Sequence, residues 1–215
     1  MASPKPIDMP DRFFHDVRNH EMTVVSDNDV MRHVTFANPA RGAYRFALTT
    51  WPGHLAITGD CDDFVFARER DMFAFFRAPA GAHPRGEAFF GDIAFDYWAE
   101  KAVAVSATGG VSTFSPKLFR AAFARDLEDH VQDLAPEAAQ AARAAAQDAV
   151  DVAEINSEAE AVAAAVNYTC PVTYDRPFQD FWDHRLQEPS DGFVWACHAI
   201  RWGITRYDAR MSQAA

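Results

Sequence analysis

The chain has 215 residues, 49% of them apolar and 18 of them Phe, so it carries material for a sizeable core and is too apolar to stay disordered outside its termini. No run approaches the roughly 20 apolar residues of a membrane span, and the N-terminus Met1-Ala2-Ser3-Pro4-Lys5-Pro6 has no apolar signal core, which predicts a cytoplasmic protein. A formal net charge of −11 argues against direct binding to nucleic acid or to an anionic membrane, both of which need a basic surface.

Residues 1–12, with Pro4, Pro6 and Pro10, read as a loose tail, and 13–215 as a single α+β domain. Met31 to Phe36 has strand composition and meets a turn at Asn38-Pro39-Ala40-Arg41-Gly42. Tyr44, Phe46 and Leu48 then alternate with smaller residues, Pro52-Gly53 interrupts, and Leu55 and Ile57 resume the period of two. Phe64 and Phe66 follow the Gly59-Asp60-Cys61-Asp62 turn. Connections this short allow only an antiparallel sheet, here of three or four strands, packed against a helical C-terminal two-thirds.

The pattern changes at Asp71, which can cap a short helix over 72–76. A Gly- and Pro-rich loop is expected over 79–91, then a helix from Asp92 to about Val105. Ser115-Pro116 is a start signal, and Phe119, Phe123, Leu127, Val131 and Leu134 recur at the spacing of one buried helix face. Pro136 opens an Ala-rich helix whose low apolar bulk suggests an exposed position. Ser157-Glu158-Ala159-Glu160 fits a capping box for a helix to about Asn167. Two aromatic helices close the chain, one over Phe178, Phe181, Trp182 and Leu186, and one from Phe193 to Tyr207 that is apolar on two sides and so should be central.

Charge is concentrated. Between Asp126 and Glu160 stand ten acidic residues and one basic residue, Arg143, which together carry −9 of the −11. This acidic helical segment, 126–165, has two readings: a solvated face that aids solubility, or a negative surface for a host protein with a basic site, in the manner of a nucleic-acid mimic. The second reading makes Asp126, Glu128, Asp129, Asp133, Asp148, Asp151, Glu154, Glu158 and Glu160 the partner-binding set.

Few other residues point to chemistry. Trp51, His54, Asp60, Asp62 and Asp63 form the densest polar cluster, and His54, Asp60 and Asp62 could hold a divalent metal for a hydrolase. Asp is equally favoured in such a turn because it bonds nearby backbone. Cys197 and His198 are adjacent on a helix, point about 100° apart and cannot act as nucleophile and base on each other, so packing roles are expected. His15 and His20 are wrongly spaced for a zinc pair, and His184 with Asp180 reads as a surface pair. The three cysteines, Cys61, Cys170 and Cys197, form neither a disulfide framework nor a metal knuckle and fit a reduced compartment. The sequence has no nucleophile elbow, zinc-protease helix, phosphate loop or dinucleotide fingerprint, and no cofactor is implied.

The run from Trp51-Pro52-Gly53-His54-Leu55 to Gly59-Asp60, the segments Phe64-Val65-Phe66 and Asp71 to Arg77, Tyr97 to Lys101, and the Trp-rich stretch Phe193 to Ile204 together resemble an uncharacterised family of phage and prophage proteins. In that family the turn after Gly59-Asp60 carries a glycine, where this chain has Cys61-Asp62-Asp63. The resemblance implies a phage or mobile-element origin and brings no activity. Three functions follow as expectations: a non-catalytic binding protein, for instance an inhibitor of a bacterial defence complex; a metal-dependent hydrolase at His54, Asp60 and Asp62; or a virion-assembly accessory using exposed Phe13, Phe14, Phe89 and Phe90.

Overall fold

The computed structural model describes residues 8–79, 87–107, 109–152 and 154–214. Residues 1–7 of the expected tail and 80–86 of the expected loop lie outside these. In chain order the elements are α1 (Met9–Val17), β1 (Glu21–Asn28), β2 (Met31–Asn38), β3 (Arg41–Trp51), β4 (His54–Gly59), β5 (Phe64–Ala67), α2 (Met72–Phe76), α3 (Glu87–Phe90), α4 (Phe95–Ala99) and β6 (Ala102–Val105). Then follow β7 (Ser112–Phe114), α5 (Pro116–Val131), α6 (Pro136–Val152), α7 (Glu158–Asn167), a 3-10 turn (Phe181–Asp183), β8 (Gln187–Pro189) and α8 (Asp191–Ala214). The chain divides into two compact units, 112–188 forming the second and the flanking stretches 1–111 and 189–215 the first. Among the described residues no helix is long and apolar enough to cross a membrane.

The first unit is a six-stranded antiparallel meander in the order β1 to β6. Alternation sends Val34, Phe36, Phe46, Leu48, Leu55, Ile57, Phe64 and Phe66 to one face, where all are buried together with α8 residues. Burying each such Phe or Leu contributes about 1.5–3 kcal/mol. The other face carries Thr35, Ala47, Thr49, Ala56 and Thr58, none of them buried. Gly203 lets α8 approach the sheet: a Cβ there would stand 2.9 Å from Leu48 Cδ1 and 3.1 Å from the Phe36 ring. Pro52-Gly53 is the tight connection between β3 and β4, with Gly53 at φ 84°, the left-handed value its position in the turn requires.

The α+β class stands, with more strands than the three or four expected. β1 was hidden by polar content, since Glu21, Ser26, Asp27 and Asn28 interrupt its apolar residues. The helix expected from Asp92 to Val105 is only α4, and Ala102-Val103-Ala104-Val105 instead pairs with β5 as an edge strand, suiting its β-branched residues. A helix also starts at Met9 inside the expected tail, because Asp8 caps it and Pro10 sits in its first turn. The expected loop ends in α3, and Phe13 and Phe89 are fully buried with Phe90 only 7% exposed, so these rings are core rather than virion contacts. α2 has the expected cap, Asp71 accepting from Phe73 N–H at 3.0 Å.

The second unit has its own core. α5 supplies Phe119, Phe123, Leu127 and Val131, and Phe178, Phe181, Leu186 and Cys170 join them. α6 is not simply presented to solvent. Ala139, Ala142 and Ala146 are buried, so small side chains at helical spacing do the packing. The aromatic helix expected around Phe178 to Leu186 is a single 3-10 turn followed by β8, and its rings still reach the core. β7 and β8 form a two-stranded ladder that frames the unit where the chain enters and leaves it.

Candidate functional site

β4 settles the arrangement of the proposed metal set. His54 begins the strand and Asp60 follows its last residue, so roughly 15–20 Å of extended backbone separates them. His54 stacks on Trp51 with ring centroids 5.0 Å apart and shares a hydrogen bond distance of 3.2 Å with the Pro52 carbonyl. At the far end Asp60 pairs with Arg45 at 3.2 Å and accepts from the Arg45 N–H. Asp62 takes a left-handed φ of 57° and packs its carboxylate against Gly109 and Gly192, where added Cβ atoms would lie 2.7 and 2.0 Å from its oxygens. That places a negative charge at the N-terminus of α8, a favourable position against the helix dipole. His54, Asp60 and Asp62 therefore do not converge, and the sequence reading of one metal site is corrected.

The acidic segment separates into carboxylates with internal partners and carboxylates without. Glu128 makes a double contact with Arg143, both at 2.8 Å, which ties α5 to α6. That pairing holds the Glu128 carboxyl below the usual range. Glu160 accepts from Asn156 N–H at 2.8 Å while Ser157 Oγ accepts from Glu160 N–H, so it completes the predicted capping box. Glu158 accepts from the Gln187 amide. Asp126 meets His184 Nε2 at 2.5 Å, and Arg125 lies 3.0 Å from the other ring nitrogen. His184 is thus partnered by Asp126 rather than by Asp180. Asp129, Asp133, Asp148, Asp151 and Glu154 are all exposed, and no hydrogen bond or ion pair engages their side chains among the described residues.

Two of the nine, Asp126 and Asp129, line an open cleft of about 480 Å³ in the second unit. Asp180 and Asp183 line the same cleft from the 3-10 turn region, with His184 and Arg176 beside them. Asp129, Asp180 and Asp183 make no side-chain hydrogen bond or ion pair among the described residues, and Arg176 is the arginine that lines the cleft with them. Within the turn Trp182, next to Asp183 in the chain, is 58% exposed and does not line the cleft. Sequence reading missed Asp180, Asp183 and Trp182 because they fall outside the acidic run. The available signal was an exposed-type Asp on either side of a Phe-Trp pair, Asp180-Phe181-Trp182-Asp183. Asp148, Asp151 and Glu154 do not line this cleft.

A second cavity, of about 790 Å³, opens in the first unit beside Asp8, Phe14, Phe90, Phe95, Val194 and His198. His198 is 2% exposed and its Nδ1 has no partner. Burial, more than the nearby Arg201, pushes its pKa down to about 4, so the imidazole is neutral at pH 7. The expected packing role fits its ring contacts, with the Phe90 centroid 4.1 Å away. Cys197 is fully buried on the same helix, its thiol pushed up by burial and unsuited to act as a nucleophile.

No family model matches the chain, and no curated protein or solved structure was found to be similar to it.

Proposed function

We propose that this chain is a non-catalytic binding protein whose second unit takes a basic segment of a partner protein into the cleft of Asp126, Asp129, Asp180 and Asp183. The observation that carries the reading is the group of three carboxylates there, Asp129, Asp180 and Asp183, none of them in an ion pair or hydrogen bond among the described residues, against the single arginine Arg176. Charge of one sign in a concave site raises the local concentration of the opposite charge and speeds encounter. Trp182, exposed next to Asp183 in the chain though outside the cleft lining, offers an aromatic surface of the kind enriched at interfaces. Residues 112–188 hold 14 acidic and six basic residues, so this stretch carries a net negative charge. With the phage resemblance read from the sequence, the proposal extends to a counter-defence role in which the acidic cleft occupies a basic, nucleic-acid-binding surface of a host complex.

The test is binding of a fluorescent Arg-rich peptide, followed by anisotropy across a salt series. Exposed ion pairs are each worth about 0.2–1 kcal/mol, so Asp129→Asn/Asp180→Asn/Asp183→Asn should weaken binding roughly 3- to 100-fold and flatten its salt dependence. Asp148→Asn/Asp151→Asn on α6 removes charge outside the cleft and should change affinity little. Equal effects of the two variants would assign the binding to bulk charge and sink the cleft.

A further inference from the structure

Near the C-terminal end of α5 the His130 ring faces the loop from Cys170 to Asp175. That loop is closed on itself: Cys170 N–H donates to the Asp175 carbonyl at 2.9 Å, and Tyr174 N–H donates to the Cys170 carbonyl at 2.8 Å. Tyr174 adopts a left-handed φ of 62° within it. As a result one ligand atom each from His130, Cys170 and Asp175 lies within 4.8 Å of the other two. His130 Nε2 stands 3.3 Å from Asp175 Oδ1 and 3.2 Å from Thr173 Oγ1. The Thr173 hydroxyl donates to the same Asp175 oxygen, which fixes the carboxylate in place.

This arrangement fits a metal better than it fits a nucleophile. In a Cys–His–Asp relay the thiol and the carboxylate engage opposite nitrogens of the imidazole. Here Asp175 takes Nε2, no hydrogen bond joins Cys170 to His130 among the described residues, and Cys170 is fully buried. By contrast, a nitrogen and an oxygen each bound to zinc at about 2.0–2.1 Å in tetrahedral geometry lie about 3.3 Å apart. That is the separation of His130 Nε2 and Asp175 Oδ1. Thiolate and imidazole together select a borderline-soft transition metal over magnesium or calcium.

We propose that His130, Cys170 and Asp175 bind one divalent transition-metal ion of the zinc type, with a fourth position left for water or an outside ligand. The Cys170 thiol gives its proton to solvent as the sulfur–metal bond forms, His130 binds as neutral imidazole, and the Thr173 hydroxyl, donating to Asp175 Oδ1, orients the carboxylate. The site is separate from the acidic cleft and stands or falls without it.

The experiment uses the full chain, stripped with chelator and then titrated with Zn²⁺ or Co²⁺ alone. One equivalent of zinc should survive desalting, and the cobalt form should show tetrahedral d–d bands with a thiolate-to-cobalt charge-transfer band. Asp175→Asn, a change at a half-exposed side chain that need not disturb folding, should weaken zinc binding at least tenfold, and Thr173→Ala about tenfold. Cys170→Ser should abolish the charge-transfer band, with circular dichroism confirming that each variant is folded. Retention of no metal, a cobalt spectrum without the thiolate band, or equal affinity in folded Asp175→Asn overturns the proposal. Rapid alkylation of Cys170 that zinc does not slow would assign a nucleophile instead and overturn it too.

Discussion

His198 offers the sharpest test of how the first unit is held together. Its ring is 2% exposed among Phe13, Phe90 and Phe95, and its Nδ1 has no partner. Burial lowers its pKa from 6.5 to about 4, with Asp8 acting weakly in the opposite sense and Arg201 adding to the depression. Between those two values the unfolded chain holds a proton that the folded chain refuses. The stability His198 allows is therefore complete above pH 6.5 and declines as pH falls toward 4. At about 1.4 kcal/mol per pKa unit the decline amounts to about 2–4 kcal/mol. His198→Leu removes the titrating ring at little change in volume. At pH 7 it should alter stability by less than about 1.5 kcal/mol, because the lost ring contacts are offset by removal of an unsatisfied buried nitrogen. Urea unfolding followed by Trp fluorescence is the assay, since Trp51, Trp98, Trp195 and Trp202 all belong to the first unit. Wild type should lose about 2–4 kcal/mol more than the variant between pH 6.5 and pH 4. Equal losses in both proteins would refute the assignment of a neutral, desolvated ring.

Asp71 joins two elements, capping α2 at Phe73 N–H and meeting Arg32 at 2.8 Å and 3.3 Å. Asp71→Ala should cost about 2–3 kcal/mol and Asp71→Asn about 1–2 kcal/mol, because Asn keeps the cap and loses only the charge. Equal costs in denaturant titration would show that the cap contributes nothing. Burial alone would raise the Asp71 carboxyl, but Arg32 outweighs it and holds the pKa below the ordinary value. The stabilisation is thus present above the unfolded pKa and lost as pH falls through the folded one, which Asp71→Asn should remove. Gly203→Val drives a branched side chain into Leu48 and Phe36 and should cost about 1–3 kcal/mol; an unchanged melting temperature would mean that α8 does not press on the sheet as described.

The strands with strict alternation were legible because only one sheet face is covered. Phe46 and Leu48, or Leu55 and Ile57, write that asymmetry directly into the sequence. β1 and β6 were not legible because edge strands bury little and need no apolar face, as the exposure of Val103 and Val105 shows. Helix starts were read at Asp71, Ser115 and Ser157, where a side chain makes the cap, but not at Asp8, whose cap stands among the prolines of the N-terminal stretch. The segment from Phe178 to Leu186 failed for the opposite reason. Its rings have helical spacing, but Pro177 and Pro189 bracket it and tertiary packing, not a helix, brings Phe178 and Phe181 into the core.

The site was less legible than the fold, and the reason is electrostatic. A count of acidic residues treats every carboxylate as available, yet the fold uses several of them. Glu128 neutralises Arg143, Glu160 satisfies backbone N–H groups and Glu158 holds Gln187, so removing their charge perturbs the unit before it perturbs any partner. Substitutions at Glu158 and Glu160 would therefore confuse any lost binding with a lost Gln187 contact or a lost helix cap. Asp129, Asp180 and Asp183 carry no such duty among the described residues. These three exposed carboxylates line one cleft without ion pairs of their own among the described residues, which leaves them open to an added cation. That grouping, rather than the length of the acidic run, is what the proposed partner site rests on.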